Sequence, residues 1–167
     1  MGVWTWLDRH DRGAFARASD AWLVGEYGDS ADGRAATGHV AGVHTHRAWH
    51  ALHVALTGEE EGGLAPACHV VWTTPGAREA SMTSAHFVHS PETVREVADY
   101  LRTLDEQRVV ADLYAARELG AYVYSFDRWE GELDMVQCGC FHRVLREVVA
   151  FYLAAASDGQ VVVVRRA

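Results

Sequence analysis

Lysine, asparagine and isoleucine are absent from this sequence, and all fifteen of its basic residues are arginine. The missing residues have AT-rich codons, so their absence indicates a GC-rich bacterial genome. Such a genome enriches a protein in Ala, Arg, Gly, Val and His without any functional cause. A high count of histidine is therefore not by itself evidence for a site.

Positive charge is scarce. The chain has 15 basic and 23 acidic residues, a formal net charge of −8, and Arg165-Arg166 is its densest basic stretch. Nucleic acids and anionic membrane surfaces both select concentrated positive charge. We therefore expect neither nucleic acid nor membrane among its partners.

Cysteines and long apolar runs are also few. The three cysteines, Cys68, Cys138 and Cys140, are an odd number, and "MGVWTWLDRHD" reaches a charge at Asp8 before any apolar segment of signal-peptide length. The longest uncharged apolar run, 148–156, is far shorter than a membrane span. These features predict a protein of the reducing cytoplasm.

Apolar residues, by contrast, make up 49% of the 167 residues and include six tryptophans. A chain of this size and composition buries a core without disulfides, and its length predicts one domain, 1–167. Two segments rich in turn residues, 25–42 and "TGEEEGGLAP", are interpreted as loops. The glutamate run within the second of these segments, residues 59–61, is interpreted as a solvated loop.

Periodicity and end signals predict helices at 12–24, 46–57, 90–107 and 131–156, and strands at 3–7, 121–126 and 160–164. Ser90 is placed to cap the third helix, with Pro91 at its first position. The unbroken valines of "QVVVV" indicate a strand buried on both faces. The expected fold is α+β, a small mixed sheet covered by several helices, with a long C-terminal helix followed by a final strand.

The stretch "VHTHRAWHALHVALTG", residues 43–58, contains four of the ten histidines. On a helix His46, His50 and His53 share one face, within about 60° of one another. An i, i+4 pair of histidines is a workable spacing for a metal ion. With a carboxylate such as Glu26 or Asp29 from the preceding loop, this face predicts a metal-dependent hydrolase, which is the alternative function.

The same stretch also reads as an ordinary core helix. Trp49, Leu52 and Leu56 define its apolar side, His53 lies at the edge of that side, and His50 and His46 lie progressively towards solvent. The stretch lacks the glutamate of the helical zinc-hydrolase motif, so no general base is built in. We therefore favour a structural helix.

A pattern within this helix, "W-x-x-L-H-x-x-L-T-G", is made by Trp49, Leu52, His53, Leu56, Thr57 and Gly58. It resembles the signature of the YfbM-like bacterial family, a domain family of unknown function. "SPETVREVADYLRTLDEQ", "YVYSF" and "FHRVLREVVAFYLAAASDGQVVVV" resemble further parts of that family. His44, His46 and His50 lie outside the family pattern, so a metal site built on them would be peculiar to this chain.

Other candidate chemistry is weaker. Cys138, Cys140 and His142, together with Cys68-His69, could form a zinc site, but Cys-x-Cys is the wrong interval for a common zinc knuckle. A buried small residue and a partly exposed thiol are the better interpretations. No nucleophile elbow or glycine-rich phosphate loop is visible. We predict no catalytic residue and no cofactor.

The aromatic residues complete the prediction. Trp4 and Trp6 share one face of the first strand, where they would line a groove or cover the sheet. We expect a non-enzymatic module that binds a protein or a small ligand on an aromatic and acidic surface. Its candidate binding residues are Trp49, His53, Thr57, Trp4 and Trp6. An immunity-type role, neutralising a basic partner, suits the charge and size.

Overall fold

The computed structural model describes residues 5–18, 37–72, 85–127 and 133–166. These residues form four strands, β1 (Thr5–His10), β2 (His39–His44), β3 (Ala85–His89) and β4 (Val161–Arg166). They also form five α-helices, α1 (Arg12–Arg17), α2 (Trp49–Thr57), α3 (Pro91–Arg102), α4 (Glu106–Glu118) and α5 (Cys140–Ser157). No helix in these ranges has the length and apolarity needed to span a membrane.

The strands form one sheet in the order β2-β1-β4-β3, so the first and last strands pair at its centre. All three pairs are antiparallel, with Leu7 opposite both Val43 and Val164. The α+β class, the long C-terminal helix and the final strand are confirmed. The sheet differs from the expected mixed one, because apolar periodicity identifies a strand without specifying its direction.

The two faces of the sheet differ in character. Leu7, Val162 and Val164 belong to the main core that the helices cover. On the opposite face, Asp8 accepts a hydrogen bond from Arg165 Nε at 2.8 Å and lies 3.2 Å from His39 Nε2. The valines of β4 are buried on both faces, as predicted.

The helix predicted at 90–107 is two helices. Ser90 accepts from the Thr93 amide, and Pro91 occupies the first position of α3, as the sequence indicates. α3 ends at Arg102, and Asp105 adopts an extended conformation and accepts from the Arg108 amide. Asp105 therefore acts as the N-cap of α4 rather than as an interior residue.

Other boundaries also differ from the predictions. β1 runs on to His10, whereas positions 3–4 of the predicted strand and 19–24 of the first predicted helix lie outside the described residues. β2 and β3 were not predicted, and 121–126 forms no strand. α5 begins at Cys140, not at 131, because residues 135–138 form turns and Gly139 takes φ +75°.

Candidate functional site

The histidine stretch forms a helix, in two parts. A 3-10 turn, His46–Ala48, leads into α2, and Gly58 ends α2 in the left-handed conformation. His46 is exposed, whereas His53 is fully buried and Trp49 is 5% exposed. The predicted core side of the helix is confirmed for Trp49 and His53.

His50, predicted to lie towards solvent, is buried, with 5% of its surface exposed. Its Nδ1 accepts a hydrogen bond from the Tyr124 amide at 2.9 Å, and its Nε2 lies 2.9 Å from the Glu60 carbonyl oxygen. Since Nδ1 is an acceptor, the proton is on Nε2, which donates to Glu60. Both ring nitrogens are thus committed to backbone groups of two other segments.

The alternative prediction, a metal site on the face of His46, His50 and His53, has no support among the described residues. Among the described residues no group of three His, Cys, Asp or Glu side chains is arranged to hold a metal ion. The lone pair of His50 that a metal would need already accepts the Tyr124 amide. Glu26 and Asp29, the carboxylates considered with these histidines, lie outside the described residues.

An aromatic cluster surrounds α2. Trp49 stacks on Trp72 with ring centroids 5.2 Å apart, and His53 contacts the same ring at 5.1 Å. Tyr124 lies 6.5 Å from Trp49 on another side. Trp49 and His53 therefore support the segments around them from inside the protein.

The loop that follows α2 is fixed at several points. Thr57 Oγ1 donates to the His53 carbonyl oxygen at 2.7 Å and accepts from the Glu59 amide at 3.1 Å. Beyond it, the carbonyl of Glu60 accepts from His50 and its carboxylate accepts from the Tyr122 amide at 2.7 Å. Thr57 thus orders the start of the loop, and Glu60 ties the loop to the segment after α4.

These contacts create what we call the acidic–aromatic surface, consisting of Glu59, Glu60, Glu61, Leu64, Leu119 and Tyr122. Leu64 is 86% exposed, Leu119 89% and Tyr122 61%. The three glutamates are also exposed. Single exposed apolar residues are ordinary, but these three lie on two segments that the Glu60–Tyr122 hydrogen bond joins, and one of those segments carries the three carboxylates.

Trp6 lies elsewhere, on β1. Its ring stacks on that of His44 across the β1–β2 pair, with centroids 4.8 Å apart and an interplanar angle of 9°. The guanidinium carbon of Arg165 is 5.2 Å from the centre of the Trp6 ring. Trp6 therefore covers the sheet, and Trp4 lies outside the described residues.

The cysteines and their neighbouring histidines do not assemble into a zinc site. Cys68 is buried, which raises the pKa of its thiol, and Cys138 Sγ donates to the Met135 carbonyl oxygen. His142 instead contacts Glu106, with Nδ1 2.6 Å from Oε1. The interpretation of Cys138 as a partly exposed thiol agrees with its half-buried position.

Sequence reasoning missed the residues that build the acidic–aromatic surface. Tyr122 and Tyr124 contact Glu60 and His50 across 62 and 74 positions of the chain, respectively. No local pattern records such pairs. The sequence feature that indicates this surface is the run of three glutamates, which by itself predicts only a solvated loop.

Comparisons with known proteins agree on one relationship. A family model described as "Domain of unknown function (DUF1877)" matches residues 15–165. The crystal structure of YfbM from Escherichia coli, a protein of unknown function, is similar with a TM-score of 0.63. The similarity covers 98% of this chain and 99% of that one at 12% sequence identity, so it shows a shared fold. No curated protein matches the sequence.

Proposed function

The chain belongs to the DUF1877 family, a domain family of unknown function, and we propose that it is a protein-binding module whose acidic–aromatic surface docks a basic partner. The observation that carries this proposal is the double anchoring of Glu60, through its carbonyl to His50 and through its carboxylate to Tyr122. A surface that is ordered before binding loses less conformational entropy when a partner docks.

The chemistry of the surface supports a cationic partner. Glu59 and Glu61 flank the anchored residue and are exposed, and neither makes an ion pair within the described part of the chain. Arg117, near the end of α4, is already engaged by Asp127 at 3.0 Å. Together with the net charge of −8, these carboxylates favour fast, salt-sensitive association with a positively charged protein.

The exposed apolar side chains provide the second half of the interaction. Tyrosine is a frequent anchor of protein interfaces, since it buries a large ring with little loss of rotamer freedom. We propose that Tyr122 supplies this anchor, with the exposed Leu64 and Leu119 contributing from the same two segments. Neutralisation of a basic toxin-like protein in the cytoplasm is the biological role that this arrangement suits.

The experiment compares the wild type, two surface variants and a matched charge control, and it begins with the wild type as bait in a lysate of the source organism at low and high salt. Wild type is expected to retain a basic protein at low salt and to release it at about 0.5 M salt, where charges are screened. In a titration with that purified protein, Glu59→Gln/Glu61→Gln is expected to weaken binding about tenfold, and Tyr122→Ala about thirtyfold.

The matched control is Asp99→Asn/Asp112→Asn, which removes the same charge from an exposed position of α3 and a half-exposed position of α4. Both carboxylates there belong to surface ion pairs, which contribute little to stability. The control is expected to bind as the wild type does. Equal loss of binding in the control and the Glu59/Glu61 variant would refute a localised surface.

A further inference from the structure

A second feature of the molecule lies between the beginnings of α4 and α5. An open cleft of about 760 Å³ is lined there by Glu106, Gln107, Gly139, His142, Arg143, Arg146 and Glu147. None of these residues belongs to the acidic–aromatic surface. A cleft of this volume is in the range of small-ligand sites.

One wall of the cleft holds a histidine in a defined orientation. His142 Nδ1 lies 2.6 Å from Glu106 Oε1, and a carboxylate can only accept in this contact. Nδ1 therefore carries the proton, and in the neutral ring Nε2 is left with its lone pair. No described residue bonds to Nε2, so the ring offers a proton acceptor on the side away from Glu106.

Arg146 holds this carboxylate in place. Its Nε donates to Glu106 Oε2 and its Nη2 to Oε1, both at 2.8 Å, which is the two-pronged geometry that suits arginine and a carboxylate. The hydrogen bonds from Arg146, and then that from His142, lower the pKa of Glu106. Glu106 thus remains an ionised acceptor that fixes the tautomer of His142.

Two further charged side chains line the cleft without a fixed partner. Arg143 and Glu147 are exposed, and neither makes an ion pair with any described residue, although they stand four positions apart on α5. Arg143 thereby offers an unused guanidinium fork to an anion. Glu147 disfavours a fully deprotonated anion at the same place, so the preferred ligand brings a proton of its own.

We propose that this cleft binds the phosphate group of a small molecule. In this site the guanidinium of Arg143 donates hydrogen bonds to the phosphate oxygens, while the P–OH donates to Nε2 of His142. Phosphate suits this pair because its monoanion carries both acceptor oxygens and a P–OH proton, and with a second pKa of about 6 for an ester this form is populated at mildly acidic pH. Sulfate has the same shape but no proton at that pH. The discrimination between the two anions is therefore the signature of the site.

The test uses the full chain at pH 6.5, with inorganic phosphate, glycerol phosphate and sulfate as separate probes. Binding is followed by calorimetry and by the ¹⁵N shifts of the His142 ring. We expect saturable binding of both phosphates, at least about tenfold tighter than sulfate, and a displaced Nε2 signal. A preference for glycerol phosphate over inorganic phosphate would identify an ester as the natural ligand.

Variants separate the roles. Arg143→Gln is expected to weaken phosphate binding about tenfold or more and to leave the His142 tautomer unchanged. Glu106→Gln is expected to move the proton between the two ring nitrogens and to weaken binding as well. Arg95→Gln removes an equal charge from α3, where Arg95 pairs with Glu92, and should change nothing. Phosphate shifts that never saturate, or equal affinities for phosphate and sulfate, would overturn the proposal.

Discussion

The four histidines of residues 43–58 show how little a residue type says about its role. His44 stacks on Trp6, His46 is exposed, and His50 uses both ring nitrogens on backbone groups. His53 is fully buried against Trp72. The helical wheel located Trp49 and His53 because both lie on or at the edge of the apolar side that neighbouring residues of the same helix define. It placed His50 wrongly because one of the segments that cover His50, that of Tyr124, comes from 74 positions away in the sequence.

Buried histidines also link stability to pH. Burial lowers the pKa of His89 to about 3, with a further contribution from neighbouring His69, and burial lowers that of His10 to about 4. Both values lie below the ordinary 6.5, so between pH 6.5 and these values the unfolded chain binds a proton that the folded chain does not. The free energy of unfolding therefore falls as the pH drops from about 6.5.

His89 provides the sharpest test, because the residue is 4% exposed and neither of its ring nitrogens has a hydrogen-bond partner among the residues that the structure describes. We expect His89→Leu to raise the free energy of unfolding by about 1 kcal/mol at pH 7.5, since it removes an unsatisfied buried polar group at similar volume. The advantage should grow as the pH falls to 5, because each titrating histidine contributes up to about 1.4 kcal/mol per pH unit. Urea unfolding at both pH values measures this, and parallel pH profiles for the two proteins would contradict it.

At the scale of single elements, the sheet contains one glycine at a position where a side chain would not fit. Gly42 of β2 pairs with Asp8 of β1, and a Cβ on Gly42 would lie 2.6 Å from Asp8 Oδ1 and 3.3 Å from the Leu7 carbonyl oxygen. The Asp8 carboxylate cannot move away easily, because Arg165 and His39 hold its two oxygens. The close approach of β2 to this buried ion pair depends on glycine.

Gly42→Ala is therefore expected to lower the free energy of unfolding by about 2 kcal/mol, through overpacking against a fixed carboxylate. Asp8→Ala provides the matching background, since it removes the group that the new methyl would meet. In a double-mutant cycle by urea unfolding, the cost of Gly42→Ala should shrink in that background. If Gly42→Ala lowers the free energy of unfolding equally with and without Asp8, the destabilisation arises from the backbone and not from the contact with the Asp8 carboxylate.

The elements that the sequence predicted correctly have their signals within a few residues. Ser90 and Pro91 start α3, and the valines of β4 mark a buried strand. β2 was missed because "HVAGVH" mixes glycine and histidine and hides its alternation. The segment 121–126 alternates like a strand, yet its Tyr122 and Tyr124 amides donate to side chains of Glu60 and His50. Its backbone donors are thus used by the candidate site rather than by a neighbouring strand.

At the scale of the whole molecule, the central pairing of β1 with β4 joins the two ends of the chain. β4 also pairs with β3, so it contacts both β1 and β3. The strand order is not visible in the sequence, because both partners of β4 are more than 70 positions away. Because β4 follows every other described element and lies between β1 and β3, we expect the sheet to form only when β4 is present.

We therefore propose a single cooperative domain, and we expect urea unfolding of the full chain to give one transition. Far-UV circular dichroism, which reports helices and strands, should coincide with tryptophan fluorescence, which reports the surroundings of the six tryptophans, Trp49 of α2 and its neighbour Trp72 among them. Deleting 161–167 should abolish the transition, because it removes the fully buried Val162 and Val164 and leaves β1 and β3 unpaired with each other. As a control, Arg102→Gln at the exposed ion pair with Asp99 should shift the midpoint only slightly. Two separated transitions in the full chain, or a truncated chain that still unfolds cooperatively, would show that the helices form a unit without the sheet.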